Sequence, residues 1–293
     1  MDSQLSPLVS VCIQTYNQVH YIKECLNGIL MQQTTFPFEI ILGEDDSSDG
    51  TLEICKAFSE KYPDKIRLFL RSCKDVIYIN GNPTGRYNFI ENLKACKGKY
   101  IAICDGDDYW TDPLKLQKQV DFLEGNPEVA ISFHRANLLK NHKFSLHQIP
   151  EPFEQQPFNY IELLRHYNFI STASVVFRKP EAFNIPKWFY ELPFGDLGLY
   201  KVIAGKNKIQ CINEVMSVYR LHSQGIYSGI TKLNANKNYL KFYKIILPIL
   251  NNEEQKVVKY KMNLLINSIS TQKFTGNLLM KKAYNMYLRL KHL

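Results

Sequence analysis

Three carboxylates stand within four positions, at Asp105, Asp107 and Asp108, directly after the apolar, β-prone run at residues 100–104. Close carboxylates repel one another and raise each other's pKa unless a positive charge sits among them. Mg²⁺ and Mn²⁺ prefer oxygen ligands and commonly share them with substrate phosphates. The spacing therefore predicts a metal that bridges a diphosphate to the end of a buried strand, although Asp-Gly is also an ordinary turn signal.

Two other segments carry polar residues where a predicted strand ends. Residues 14–17 (Gln-Thr-Tyr-Asn) follow the apolar run at 8–13, and the acidic residues 44–46 follow a second run at 38–42. Ligands of open α/β sheets bind outside the carboxyl ends of the strands. We therefore expect polar groups from three separate segments to meet at one edge of a sheet.

Helical spacing of apolar residues alternates with these strands. Helices are predicted around residues 22–30, 52–58, 89–96 and 113–123, with a further strand at 66–70. Four strand–helix alternations in about 125 residues predict a parallel, doubly wound sheet with right-handed crossovers.

Length and composition limit the possible architecture and location of the protein. A chain of 293 residues that is 45% hydrophobic can bury a large core, as one elaborated domain or as one domain with a tail. Neither an apolar run of roughly 20 residues nor the basic and apolar regions of a signal peptide is visible. The seven cysteines are scattered and several fall in apolar patterns, so we expect a cytoplasmic protein with reduced thiols and no zinc site.

The positive charge is concentrated near the C-terminus. Residues 231–293 hold 12 Lys/Arg against 2 Asp/Glu, whereas the net charge of the whole chain is only +8. Apolar residues at helical spacing predict two or three helices in this tail. These helices either pack on the body with a solvated basic face or attach the protein to an anionic membrane; nucleic-acid binding is less favoured because no recognisable module accompanies the charge.

Three blocks of the sequence, residues 9–17, 39–51 and 100–108, together resemble the signature blocks of glycosyltransferase family 2. Members of that family are inverting, metal-dependent enzymes that use nucleotide sugars. The resemblance extends over roughly residues 8–228. It implies an α/β fold of the GT-A type, a Rossmann-like, doubly wound and mostly parallel sheet, here with a C-terminal helical extension.

The resemblance also implies a division of the chain. Residues 1–230 would form the GT-A domain, with a nucleotide-binding half up to about residue 125 and an acceptor-binding half at 126–230. Residues 231–293 would form the basic, α-helical tail.

Five nucleotide contacts follow from the resemblance. Gln14 and Tyr16 match positions that contact the nucleotide, with Tyr16 packing on the base. Asp45 matches a carboxylate that accepts a hydrogen bond from the base N3–H, which favours uracil, and Asp105 matches a residue near the ribose. Arg86 is a candidate for the nucleotide-holding residue after the third strand. The alternative for Tyr16 is a core aromatic beneath the start of the first helix.

Several neighbours have other interpretations. Asp46 and Ser47 would simply form a turn. Asn88 is a second candidate beside Arg86, and the alternative for both is a solvated helix face. Asp108 would either support the metal ligands or cap the following helix.

The resemblance places the metal on Asp107, with His222 as a second ligand or as a hydrogen-bond donor to the leaving phosphate. Arg220 would neutralise charge on the phosphate side, and Thr172 would touch the donor sugar. His222 and Thr172 also have purely structural interpretations. A lone histidine is often structural, and a threonine hydroxyl often forms hydrogen bonds only with the neighbouring backbone.

The catalytic base is assigned to Asp196. Family members usually have Glu-Asp at the start of a helix here, and this chain has Gly195-Asp196, so only the second acid is retained. An inverting transfer needs one carboxylate to take the proton of the acceptor hydroxyl. The alternative is that Asp196 caps the helix.

Three expectations concern the second half of the chain. Residues 129–133 read as a strand, and residues 171–178 alternate as another. The proline-containing stretch 138–158 is predicted to be a long loop or lid.

The sequence thus predicts a Mn²⁺- or Mg²⁺-dependent transfer of a sugar, from a UDP-sugar, to a hydroxyl of a saccharide or lipid-linked saccharide. The protein would be cytoplasmic. A further expectation is that it attaches peripherally to the inner face of the membrane. Alternatives are a non-catalytic protein that binds nucleotide sugars and, less favoured, a sugar nucleotidyltransferase, which should have a Gly-rich basic loop after the first strand. The donor sugar, the acceptor and the linkage are set by pocket shape.

Overall fold

A twisted sheet organises the part of the chain that the computed structural model describes, which comprises residues 6–79, 81–223, 225 and 230–275. Its strands, together with a separate small hairpin (β4 and β5), are β1 (Val9–Thr15), β2 (Phe38–Glu44), β3 (Ile66–Leu70), β4 (Ile77–Ile79), β5 (Asn82–Thr84), β6 (Tyr100–Asp105), β7 (Tyr109–Trp110), β8 (Val129–Lys140), β9 (Lys143–Leu146), β10 (Val176–Arg178) and β11 (Lys208–Leu221). The α-helices are α1 (Ile22–Leu30), α2 (Thr51–Lys61), α3 (Arg86–Ala95), α4 (Lys115–Gly125), α5 (Tyr160–His166), α6 (Asp196–Ala204), α7 (Lys232–Ile246) and α8 (Asn252–Thr275).

The strand order is β3-β2-β1-β6-β10-β8-β11-β7, with β9 paired to β8. The first four strands are mutually parallel, as the strand–helix alternation predicted. Beyond β6 the sheet is mixed, because β10 runs antiparallel to both of its neighbours while β8 and β11 run parallel to each other. The parallel sheet predicted from the strand–helix alternation of the first 125 residues is therefore confirmed, and the antiparallel pairings occur beyond it.

The central strands carry the core. Val11 and Ile13 on one face of β1 and Cys12 on the other are fully buried, as expected for a parallel strand covered on both faces. Helix α1 turns Ile22 and Leu26 toward this core, in agreement with their helical spacing. The strand ends that bear polar residues are consequently held on a rigid base.

The stretch predicted as a long loop begins instead with a β-hairpin. Strand β8 continues to Lys140, and β9 pairs with it across a two-residue turn at Asn141 and His142. Both turn residues have positive φ, 48° and 61°. This is the backbone twist that two-residue hairpins favour, and Asn-His lacks the glycine by which such turns are usually recognised.

The strand predicted at residues 171–178 is shorter than expected. A single 3₁₀ turn, Thr172–Ser174, precedes β10. Ser174 Oγ donates to the Ser171 carbonyl oxygen at 2.6 Å, and Trp110 Nε1 donates to the Ala173 carbonyl oxygen at 2.9 Å. These side-chain bonds use backbone groups that a longer strand would have paired.

The chain separates into two compact units, Met1–Glu191 with Gly195–His222, and Leu192–Phe194 with Ser223–Leu293. Within the second unit α7 and α8 pack together, and the Phe194 ring stacks on Phe242 with centroids 4.7 Å apart. The third helix predicted in the tail, at residues 279–290, lies outside the described residues. Among the helices that are described, none combines the length and apolar character needed to cross a bilayer.

Candidate active site

The carboxyl ends of β2, β1 and β6 lie side by side because these strands are neighbours in the sheet. Asp45 N donates to the Thr15 carbonyl oxygen at 3.1 Å, and Gly106 N donates to the Gln14 carbonyl oxygen at 3.0 Å. A Cβ on Gly106 would stand 2.4 Å from Gln18 Oε1, so glycine lets these loops approach closely. The three polar segments thus meet at one edge, as the strand order predicted.

The loops after β1 and β2 are bonded to each other. Asn17 N donates to Ser47 Oγ at 2.9 Å, and Ser48 N donates to Asn17 Oδ1 at 3.0 Å. The buried Glu44 carboxylate accepts the N–H groups of Asp46 and Ser47. Asn17 and Asp46 both have positive φ, an uncommon conformation for non-glycine residues that clusters at functional sites. Asp46 and Ser47 therefore do form the turn, and this turn holds Asp45.

Asp45 is a buried carboxylate in this turn. Burial, Glu44 and Asp46 raise its pKa to about 6, while the nearby Arg71 guanidinium acts in the opposite direction. Its Oδ2 lies 4.0 Å from the point where a Cβ of Gly85 would stand, at the start of α3. The position suits an acceptor for a nucleobase N–H, and this role stays a prediction.

Tyr16 is not a core residue, because 56% of it is exposed. The core-aromatic alternative is wrong, and the ring is accessible at the edge of the site. Beside it, Gln14 Nε2 donates to Asp105 Oδ1. Burial and the neighbouring Asp107 carboxylate raise the pKa of Asp105 to about 7, against the effect of the Gln14 hydrogen bond. The predicted nucleotide contacts Gln14, Tyr16 and Asp105 are thus on adjacent strand ends.

Asp107 and His222 are brought together from distant parts of the chain. His222 Nε2 lies 3.0 Å from Asp107 Oδ2, and the His222 ring packs on Tyr21 with centroids 4.7 Å apart. Within the described ranges, no group of three or more His, Cys, Asp or Glu side chains is arranged to hold a metal. The Asp107 carboxylate and the His222 imidazole still fit Mn²⁺ as a partial ligand set. The negative charge of Asp107 raises the pKa of Asp105, and a bound cation would neutralise that charge.

Arg220 secures the loop that carries Asp107. Its guanidinium pairs with Glu24, donates to the Asp107 carbonyl oxygen and lies 4.3 Å from the Tyr109 ring centroid. The Arg220 backbone N–H donates to Asp108 Oδ1 at 2.9 Å, and Asp108 is fully buried. Asp108 therefore fixes β11 to the loop after β6 and does not cap a helix. The assignment of Arg220 to the phosphate side stays a prediction.

Asp196 is the first residue of α6, and its carboxylate has two hydrogen-bond donors. Leu197 N donates to Oδ1 at 2.9 Å, and Asn168 Nδ2 donates to Oδ2. Burial raises the pKa of Asp196, while these donors and the charge of Arg86 act to lower it. Its negative charge also contributes to the raised pKa of Asp105, so the two carboxylates are within electrostatic reach of each other.

Arg86 does not lie on a solvated helix face, because it is 8% exposed. Its guanidinium lies 5.1 Å from the Phe189 ring centroid and directly against Gly195. Asn88 is buried as well and donates to the Gly43 carbonyl oxygen at 2.9 Å. The solvated-face alternative is therefore wrong for both residues.

Thr172 opens the 3₁₀ turn beside β6 and is half-buried. The turn is joined to that strand by a hydrogen bond from Ile103 N to the Val175 carbonyl oxygen at 3.2 Å. A contact of Thr172 with the donor sugar stays a prediction.

Sequence reasoning missed four residues that support the site: Tyr21, Glu24, Asn168 and Phe189. Tyr21 and Glu24 are one helical turn apart at the start of α1, and each contacts a residue of β11 or the position after it. Asn168 follows Tyr167, whose φ is 64°. No local sequence pattern indicates these partners, because each is defined by a contact between distant segments.

Comparison with known proteins identifies the family and the fold of this chain. The profile of the family described as glycosyl transferase family 2 matches residues 10–181. An uncharacterized protein of Mycobacterium tuberculosis is 35% identical over 220 residues, which are 75% of this chain and 60% of that protein. The chain therefore spans less than two thirds of the length of this relative.

A second relative is the Escherichia coli protein named UDP-Glc:alpha-D-GlcNAc-diphosphoundecaprenol beta-1,3-glucosyltransferase WfaP. It is 30% identical over 237 residues, 80% of this chain and 86% of WfaP. Among solved structures, the mannosyltransferase PcManGT of Pyrobaculum calidifontis, in complex with GDP-Man and Mn²⁺, matches with a TM-score of 0.57 at 16% identity. The match covers 99% of this chain and 82% of PcManGT, and it shows the fold. The profile match covers more than half of the sequence and the α/β fold agrees with it, so the chain belongs to glycosyl transferase family 2.

Proposed function

We propose that the protein transfers a sugar, with inversion, from a UDP-sugar to a hydroxyl of a saccharide or lipid-linked saccharide. The observation that carries this proposal is the pairing of two acidic centres in one site. Asp107 with His222 forms one centre, and Asp196 forms the other. The charges of Asp107 and Asp196 both act to raise the pKa of Asp105, which lies within electrostatic reach of the two centres. One centre suits the leaving diphosphate, and the other suits the attacking hydroxyl.

Asp107 and His222 would hold Mn²⁺ or Mg²⁺. The metal supplies Lewis-acid stabilisation of the diphosphate as negative charge develops on it. Arg220 keeps the Asp107 loop in place through its bond to the Asp107 carbonyl oxygen. The family relationship supports this assignment, as does the concentration of carboxylates at residues 105–108.

Asp196 would act as the base. The acceptor oxygen attacks the anomeric carbon, its proton passes to an Asp196 carboxylate oxygen, and the bond from the anomeric carbon to the diphosphate breaks with its electron pair left on UDP. Asn168 and the Leu197 N–H orient the carboxylate for this task. A helix-cap role accounts for neither contact, because Gly195 is the N-cap residue of α6 and the Leu197 N–H is only one position beyond Asp196.

Tyr16, Gln14, Asp45 and Asp105 would bind the nucleoside. Base–aromatic stacking on an exposed ring contributes about 1–3 kcal/mol, and 56% of Tyr16 is exposed. An ionised Asp45 would accept the N3–H of uracil. The similarity to WfaP, whose name specifies UDP-Glc, is consistent with a uridine nucleotide.

A lipid-linked acceptor would bring the enzyme to the inner face of the cytoplasmic membrane. The name of WfaP describes a diphosphoundecaprenol acceptor, and the tail of this chain is strongly basic. Sedimentation with phosphatidylglycerol vesicles, compared with phosphatidylcholine vesicles, tests this extension. Binding only to the anionic vesicles supports it, and no binding to either excludes the tail as a membrane anchor.

A panel of UDP, UDP-glucose, UDP-GlcNAc, GDP and GDP-mannose, each with and without Mn²⁺, tests the function. We expect a uridine nucleotide to raise the melting temperature only with metal, and its sugar to be released slowly as water replaces the acceptor. Asp196→Asn should retain binding and lose release. Metal-dependent binding without release by the wild type would favour a non-catalytic binding protein, and release of pyrophosphate from UTP with a sugar phosphate would favour a nucleotidyltransferase.

A further inference from the structure

Gly195 leaves a space that the Arg86 side chain fills. A Cβ built on Gly195 would lie 1.9 Å from Arg86 Nη1 and 3.3 Å from Phe89 Cε1. No side chain fits there unless the guanidinium moves away. The Phe189 ring, in the 3₁₀ segment Lys187–Glu191, also covers the guanidinium, with 5.1 Å between Arg86 Cζ and the ring centroid. Arg86 is thus held at the residue that directly precedes Asp196.

We propose that Arg86, which packs against Gly195, is a positioning residue for the adjacent Asp196 and does not bind the nucleotide. This inference rests on the proposed function of Asp196 as the base. Gly195 is the position where the resemblance leads one to expect an acid. In place of that acid the guanidinium of Arg86 occupies the space, and its charge acts to lower the pKa of Asp196.

The surroundings of Asp196 make a cation there consequential. Groups that interact with its charge come from several elements: Arg86 on α3, Asp105 on β6, Tyr200 on α6 and Tyr219 on β11. Arg86 is the one cation among these described groups. Asp105 is anionic when ionised, and burial raises the pKa of both tyrosines, which keeps them neutral. Removing the guanidinium would therefore leave Asp196 with its hydrogen-bond donors but without the one cation among these described groups.

The burial of the Arg86 side chain favours a positioning role over nucleotide binding. Arg86 is 8% exposed, whereas Tyr16 is 56% exposed. Because the guanidinium is enclosed between the Phe189 ring and Gly195, little of it is accessible to a nucleotide. The charge is better placed to act on a neighbouring carboxylate.

The test compares Arg86→Gln, Arg86→Lys and Gly195→Ala with the wild type, using release of UDP from UDP-glucose and UDP-GlcNAc in Mn²⁺. The acidic limb of kcat/KM reports the ionisation of the base in the free enzyme. We expect Arg86→Gln to move this limb upward by about one pH unit, which is about a tenfold loss at pH values below it. Above the limb the rate should stay within about threefold, and Arg86→Lys should recover part of the shift.

Gly195→Ala provides a second route to the same state, because its Cβ would push the guanidinium aside without removing it. It should shift the limb in the same direction, and adding it to Arg86→Gln should produce little further shift. Binding of UDP, measured by calorimetry with Mn²⁺, should stay within about twofold in all variants. Arg165→Gln, which removes a surface cation 40% exposed at its side chain, is the matched control.

An unmoved acidic limb together with about tenfold weaker UDP binding in Arg86→Gln would overturn the inference and return Arg86 to the nucleotide. If the wild type released UDP from neither donor, the proposed function would be in question instead. A stability cycle would then decide the Arg86 question without activity. At pH 8, Arg86→Gln should lower the folded-to-unfolded ratio at least about threefold more in the wild type than in Asp196→Asn; equal effects in both backgrounds would overturn the inference.

Discussion

Replacing Asp45 with Asn tests whether the site carries a perturbed carboxylate for the nucleobase. Burial and the neighbouring acids Glu44 and Asp46 raise the pKa of Asp45 to about 6, despite Arg71. The ionised form offers the base N3–H a charged acceptor, whereas the protonated form offers a neutral carbonyl oxygen and places its own O–H donor beside the base N–H. Binding of UDP should therefore weaken as the pH falls through 6, and the variant, whose amide oxygen accepts at any pH, should lack this dependence.

The magnitude follows from the titration. At pH 5, one pH unit below a pKa of about 6, only about a tenth of the protein has ionised Asp45, so UDP binding should be about tenfold weaker than at pH 8. Titration of UDP and of Asp105 affects the wild type and the variant alike. The ratio of the two dissociation constants therefore isolates Asp45, and it should change about tenfold between pH 8 and pH 5.

The free energy of unfolding should depend on pH in the opposite sense from UDP binding. The folded-state pKa of Asp45 is above its ordinary 3.8, so ionisation favours the unfolded chain. The cost is absent at low pH, grows between about pH 4 and 6 and is complete above 6. Asp45→Asn removes it and should raise the free energy of unfolding at pH 8 by about 1–3 kcal/mol.

Calorimetric titration of UDP with Mn²⁺ at pH 5 to 8, with urea unfolding of both proteins, makes these measurements. Weaker binding at pH 8 accompanied by higher stability would show that this residue serves binding at the expense of the fold. A ratio of dissociation constants that is the same at pH 5 and pH 8 would refute the assignment of Asp45.

Three further substitutions have distinct expected outcomes. Asp107→Ala should abolish the Mn²⁺-dependent rise in melting temperature with UDP; an unchanged rise would remove Asp107 from the metal site. Asn168→Ala takes a donor from Asp196 and should lower kcat about tenfold with unchanged UDP affinity, since a hydrogen bond to a charged group contributes about 1.5–3 kcal/mol; weaker UDP binding at normal kcat would contradict this. Tyr16→Ala should weaken UDP binding by about 1–3 kcal/mol and leave the unfolding energy nearly unchanged because the ring is 56% exposed; a large loss of stability would indicate a packing role.

Local pattern was sufficient for the first half of the fold. Alternating strands and helices predicted the parallel strands β1, β2, β3 and β6, and with them the meeting of residues 14–17, 44–46 and 105–108. Parallel strands that are covered on both faces are continuous apolar runs, which a single sequence displays. Beyond β6, the short β10 and the hairpin at Asn141 were not predicted, since their pairing depends on turn geometry and on partners elsewhere in the sheet.

The sequence alone determined which residue types stand at the strand ends, and from these the carboxylate chemistry at Asp105 and Asp107. Tertiary structure decided what each of them faces. It brought His222 to Asp107, gave Asp196 its donor from Asn168 and placed Arg86 against Gly195. These contacts join segments far apart in the chain, and a side chain's charge state depends on burial and on neighbours that no local spacing specifies.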